Sequence, residues 1–248
     1  MATNLSDVGF NQQGPGELEA LAKKCYQNGK AQRCKQGTYI SWALGNGIEI
    51  WIQLNPNEEL IALNPHFSGK TRTSAGLEKR VTRDGFPMDG GFVALAQPYG
   101  NDPIKGAFRF VFDTPNFLSH EELKLPQISS VQLTAFAQQC VVAATEADFA
   151  AAMSRQGRNL GVDAFRPLGM TGPSREPLPE PLASAMLCGP ILDAVQMTNP
   201  STKTPFWWLK IRNAVGEVDV VADPELLPHG AKIGAILQCS AWVSGKIV

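Results

Sequence analysis

Between residues 16 and 27 the apolar side chains Leu18, Leu21, Ala22, Cys25 and Tyr26 recur at the spacing of one helical face. Pro15 suits the first helical position and Asn28-Gly29 supplies a stop, so a short amphipathic helix is predicted. From residue 38 the period falls to two. Tyr39, Ser41 and Ala43 alternate with Ile40, Trp42 and Leu44 before Gly45-Asn46-Gly47 reverses the chain. Ile48, Ile50, Ile52 and Leu54 then share one face while Glu49, Trp51 and Gln53 share the other, which predicts a β-hairpin. Asn55-Pro56-Asn57 breaks it, and residues 60–63 read as a third strand. Residues 92–96, 108–112 and 128–137 are further strands. Thr145, three residues before Asp148, marks the start of a helix that runs to about residue 155.

Residues 158–183 interrupt this rhythm. Pro167, Pro173, Pro177, Pro179 and Pro181 crowd a stretch with little apolar periodicity, which reads as an extended, semi-rigid linker. Beyond it, residues 185–197, 205–212, 218–222 and 233–243 are strand-like, with residues 244–248 as a further short strand. Asp223-Pro224 opens a single helical turn. The expected fold is mainly β with a few short helices. It comprises a β-rich module over residues 1–157, a linker over 158–183, and a small barrel over 184–248.

At 248 residues the chain is long enough for a large core, and its apolar fraction of 44% and charged fraction of 18% are ordinary for a globular protein. A net charge of −1 provides no global field for nucleic acid or an anionic membrane. No apolar run approaches the length of a membrane span, and no basic segment followed by an apolar run opens the chain. Five irregularly spaced cysteines, none in a C-x-x-C pair, suit free thiols in a reducing cytoplasm.

The densest polar chemistry lies between Leu63 and Gly91. His66 and Ser68, with Asp84 or Asp89, contain the residue types of a base, a nucleophile and an orienting carboxylate. No nucleophile elbow surrounds Ser68, and Pro65 and Gly69 suit a fixed turn, so a hydrogen-bonded turn histidine is the expectation at His66. Gly69-Lys70-Thr71 copies the tail of a phosphate loop, but Asn64 stands where its first glycine belongs. The three histidines, His66, His120 and His229, are scattered, and no metal or cofactor is expected. Lys70, Arg72, Lys79, Arg80 and Arg83 form the only local basic run and are expected on a solvated strand face. Lys70, Arg72, Arg80, Arg83, Trp207 and Trp208 are the candidate ligand-binding residues. Between 184 and 248, however, five cations face five carboxylates, and a phosphate-tracking groove needs positive excess.

Strand, hairpin, strand, helical insert, strand over the last quarter closely resembles the order of an OB-fold barrel. Asn64-Pro65-His66-Phe67-Ser68-Gly69, Met88-Asp89-Gly90 and the Phe206-Trp207-Trp208 to Asp219-Val220-Val221-Ala222-Asp223-Pro224 block together resemble a bacterial family of unknown function. That resemblance implies a bacterial cytosolic setting and no reaction. The expected function is therefore non-enzymatic binding of a protein or polymer partner. The alternatives are hydrolysis through His66 with Ser68 and Asp84 or Asp89, and single-stranded nucleic-acid binding through the barrel.

Overall fold

The computed structural model describes residues 3–11, 14–171, 176 and 178–248. Helix α1 (Pro15–Asn28) starts on Pro15 and ends where the Gly29 N–H donates to Cys25 O at 2.8 Å. It buries Leu21, Ala22 and Cys25, while Leu18 and Tyr26 stay exposed, so its apolar face is narrower than the spacing predicts. A four-stranded antiparallel sheet follows: β1 (Lys30–Cys34), β2 (Gly37–Gly45), β3 (Ile48–Leu54) and β4 (Leu60–Phe67). The almost wholly exposed β1 carries no apolar alternation and is invisible to a periodicity argument.

Strand β4 runs four residues further than expected, straight through Pro65. Proline cannot donate to a ladder, but β4 pairs only with β3, so Pro65 sits on an edge where no donor is needed. The stretch read as a turn around His66 is therefore strand. Within the sheet Ile40, Ile48, Ile50, Ile52 and Leu54 join a small core with Leu21, Ala22 and Cys25 of α1. Tyr39 and Trp51 turn into the main core.

The remaining strands are β5 (Thr73–Arg83), β6 (Phe86–Ala96), β7 (Phe108–Asp113), β8 (Gln127–Ala143), β9 (Phe165–Pro167), β10 (Ser184–Thr198), β11 (Pro205–Asn213), β12 (Gly216–Ala222) and β13 (Ile236–Ile247), all in one sheet. Helix α2 (Glu146–Arg155) begins as expected, with Thr145 accepting from the Asp148 N–H. Among the described residues the fold is mainly β.

Following the pairings closes two five-stranded rings. One runs β5–β6–β7–β13–β8 and back to β5. The other runs β10–β11–β12–β8–β13 and back to β10. Each ring has three successive antiparallel strands, then a 3-10 turn (Phe117–His120 or Pro224–Leu226), then a long fourth strand that pairs back to the first. The fifth position is taken by the other ring's fourth strand, which runs parallel to the third. The antiparallel pair β8–β13 is thus common to both rings, and each half completes the other.

This differs from a barrel built wholly from residues 184–248. The last two expected strands are one continuous strand, β13, so that stretch holds only four ring strands. The free edges of β12 and β13 both need partners for their backbone groups, and the 17-residue β8 supplies both. Part of the expected linker also pairs: β9 adds to β10 through Phe165, Arg166 and Pro167. Pro173 and Pro177 lie outside the described residues.

Candidate functional site

The four-stranded sheet lies over the β8–β13 seam, and the two surfaces meet through a buried polar layer. Glu49 and His66 are directly opposed on β3 and β4, and Gln132, Thr134, Ser244 and Lys246 share one face of the seam. His66 has no exposed surface, and its Nδ1 is 2.9 Å from Ser244 Oγ. Burial holds its imidazole down at about 4, against a smaller upward pull from Glu49, so the ring is neutral near pH 7. Burial also pushes Glu49 up, but His66, Lys246 and the Trp51 and Lys246 hydrogen bonds outweigh it and hold the carboxylate below its usual range. Lys246 Nζ lies 3.0 Å from Glu49 Oε2 and 5.3 Å from the Trp51 ring centroid.

Deeper along the same seam, Asp219 is fully buried and saturated by neutral donors. Thr71 Oγ1 (2.6 Å) and Gln132 Nε2 (3.1 Å) donate to Oδ2, and Trp208 Nε1 (2.9 Å) donates to Oδ1. These bonds tie the loop after β4 to both rings. They are architecture, with every acceptor turned inward.

Open to solvent, by contrast, is a cleft of about 330 Å³ beside β4, β6 and β7. Arg83, Asp89 and Asp113 supply its charges, Asn4, Asn64, Thr114 and Ser244 its neutral polar groups, and Phe86 and Trp242 its aromatic walls. Asp113 is held by the Arg83 guanidinium and by Trp242 Nε1 at 2.8 Å, and Arg83 also donates to Pro181 O at 2.7 Å. Asp89 Oδ1 accepts from Gln53 Nε2 and from Asn64 Nδ2 at 3.1 Å. Burial is the main cause of a raised Asp89, reinforced by the nearby Asp113 charge and opposed by those amide bonds. Burial likewise raises Asp113, with Arg83 and Trp242 opposing it. Two carboxylates therefore share one guanidinium, and that guanidinium is already committed to Asp113.

A second, more apolar groove of about 310 Å³ lies where Ser68, Lys70 and Trp208 meet Phe67 and Met197. The candidates named from the sequence thus separate. His66 bonds Ser244 inside the seam, Ser68 lines the groove, Asp89 lines the cleft, and Asp84 is exposed with its N–H 3.4 Å from Glu180 Oε2. The hydrogen bonds of His66 and Asp89 go to residues outside that set of four.

The basic run also divides. Lys70 and Arg72 are exposed, with Arg72 Nη1 donating to Gly69 O and Thr71 O, and Lys79 is exposed too. Arg80, half-buried, clamps the carbonyls of His120, Glu121 and Leu123, so it belongs to the fold and not to a solvated face. Arg83 enters the cleft. Trp207 packs on the main core while Trp208 faces the groove and the smaller core, on the opposite side of β11. Asn64, Phe86, Asp113 and Ser244 were not named as site residues from the sequence. They come from four strands far apart in the chain, and no local spacing connects them. Among the described residues no group of three or more His, Cys, Asp or Glu is placed to hold a metal ion. Among the described residues no helix is long and apolar enough to cross a membrane. Comparisons with protein-family models, with curated proteins and with solved structures each found no significant match.

Proposed function

We propose that the protein is a binding protein whose open cleft receives a cationic side chain from a protein partner. One observation carries the reading: Asp89 lines the cleft, yet its hydrogen-bond donors are the neutral amides of Gln53 and Asn64, while Arg83 is engaged by Asp113. A half-buried carboxylate without a full counter-charge is a favourable place for an ammonium or guanidinium group, whose attraction there is worth a few kcal/mol, roughly 4 at 4 Å. Phe86 is 54% exposed and lines the same cleft, adding an aromatic ring for the same cation to approach. His66 speaks against the hydrolytic alternative, because a general base needs access to the reacting group and this ring is sealed.

The connectivity of each ring supports reading it as OB-like, with the fifth strand supplied by the other half. Single-stranded nucleic acid remains the second reading, favoured by the meeting of Lys70 and Trp208 in one groove. Lys70 is the one cation among that groove's described lining residues, which leaves little to track a phosphate backbone. The five free thiols support a reducing, cytoplasmic setting.

The test is titration of the protein with tri-arginine, tri-lysine and tri-glutamate peptides and with an oligo-dT strand, followed by calorimetry. The cationic peptides should bind, and Asp89→Asn, close to isosteric, should weaken them about tenfold or more, a loss of roughly 1.4 kcal/mol. Equal binding of tri-glutamate, or an unchanged affinity in Asp89→Asn, overturns the reading. Preference for oligo-dT would put the groove first.

A further inference from the structure

Cys140 on β8 and Cys239 on β13 stand directly opposite one another in the antiparallel ladder. Directly opposed residues on such strands hold their Cα atoms about 4.5 or 5.5 Å apart and send their side chains to one face. Both separations fall within the roughly 4.4–6.8 Å between Cα atoms that a disulfide spans. Both are free thiols, with Cys239 Sγ donating to Ser240 O at 3.4 Å, and Cys140 is the largest influence on the Cys239 thiol.

The other three cysteines are placed differently. Cys34 opposes Gly37, and Cys25 is on the buried face of α1 with its thiol directed to Ile40 O and Ile50 O. Cys188 opposes Gln238 and packs with Phe149 and Met153 of α2, on the other face of β10 from Leu187, which is the residue opposite Cys239.

We propose that Cys140 and Cys239 are an oxidisable pair whose disulfide, formed by exchange with glutathione disulfide or a related small disulfide, staples the strands that both rings share. The two thiols differ in access. Cys140 is half-buried near the end of β8, flanked by exposed Gln138, Gln139 and Val141, whereas Cys239 is fully enclosed. The ladder also slips between Ser240 and Ala241, leaving Gln138 without an opposite residue and loosening the pairing beside Cys140. Cys140 is therefore the sulfur that an external disulfide meets first.

Its thiolate attacks one sulfur of glutathione disulfide. A Cys140–glutathione bond forms, the glutathione S–S bond breaks, and one glutathione leaves as thiolate. Cys239 then attacks the Cys140 sulfur and expels the second glutathione, which takes up the Cys239 proton as it leaves. Two protein thiols lose two electrons and two protons, and glutathione disulfide becomes two glutathione molecules. Interaction with Cys140 and burial both push the Cys239 thiol well up, which keeps it protonated and leaves the first attack to Cys140. The contribution from Cys140 disappears once that sulfur is capped.

The resulting bond closes a loop of about 100 residues, long enough to restrict the unfolded chain strongly. For a protein of this size the melting temperature should rise on the order of 5–10 °C. In a reducing environment the pair stays as two thiols and the seam is held by its hydrogen bonds and apolar packing.

The experiment incubates the full-length protein with glutathione disulfide at mildly alkaline pH, alkylates remaining thiols and maps the peptides without reduction. The expected product is a cross-linked peptide containing Cys140 and Cys239, two hydrogens lighter than the reduced pair, reversed by dithiothreitol and accompanied by the rise in melting temperature. Cys239→Ser should stop at a glutathione adduct on Cys140, and Cys140→Ser should leave Cys239 free. Recovery of both residues as free thiols from the folded wild-type protein would overturn the proposal, as would a wild-type adduct on Cys140 that never resolves or cross-links to other cysteines. The wild-type map decides the matter even where a variant fails to fold.

Discussion

His66 is a base in composition only. Its ring is closed off, its Nδ1 meets Ser244, and burial keeps it uncharged down to about pH 4. Because the folded value lies below the unfolded value of about 6.5, the neutral ring contributes stability that is full above pH 6.5 and is lost as pH falls towards 4. Denaturant titrations should therefore show the wild type losing up to about 3 kcal/mol through this group across that window. His66→Ala should cost about 1–3 kcal/mol at pH 7, the cost of leaving Ser244 unpaired in the seam. It should also flatten the acid limb and leave cationic-peptide binding intact. Unchanged stability together with lost binding would assign the ring to the site instead. Burial pushes Asp7, likewise fully buried, the other way, to about 8, so it is protonated near neutrality while its Oδ1 accepts from the Asp223 N–H.

At the level of elements, the loop leaving β4 is the tightest joint. A Cβ on Gly69 would lie 1.9 Å from Asp219 Oδ2, the buried carboxylate oxygen that holds Thr71 and Gln132. No flexible side-chain end can yield there, because the carboxylate is fixed by its donors. Gly69→Ala should therefore cost about 1–3 kcal/mol or more by breaking a buried network, read as a lower midpoint in urea. A neutral outcome would mean that the loop can lift off the seam. The apparent phosphate-loop tail thus has a packing reason: Gly69 is glycine because Asp219 occupies the space. That reason was not legible locally, since the two residues are 150 positions apart in the numbering.

At the level of the molecule, exchange of β8 and β13 between two rings ties the halves together. A fragment containing residues 184–248 alone lacks the strand that covers the edges of β12 and β13, so it should not give a folded monomer by circular dichroism and amide exchange. A fragment that did fold alone, with dispersed protected amides, would show that those edges can be satisfied without β8. Limited proteolysis of the whole chain between 158 and 183 should give two pieces that stay associated until denaturant is added. Pieces that separate in native buffer would mean the seam is weaker than its long ladder implies.

The alternation of apolar residues determined the mainly β class, the 38–54 hairpin, the α1 and α2 helices and their caps, because these depend on neighbours within a turn or a hairpin. The same reasoning placed Asp89 and Arg83 among the polar residues of interest. Pro65 and the polar strand β1 escaped it, because an edge strand needs neither alternation nor every donor. Sharing of β8 between rings, closure of His66 under Ser244, and the meeting of Asn64, Phe86, Arg83, Asp89, Asp113 and Trp242 in one cleft were decided only by tertiary structure. Their cause is the need of every buried strand edge and polar atom for a partner, and such partners can be found across the whole length of the chain.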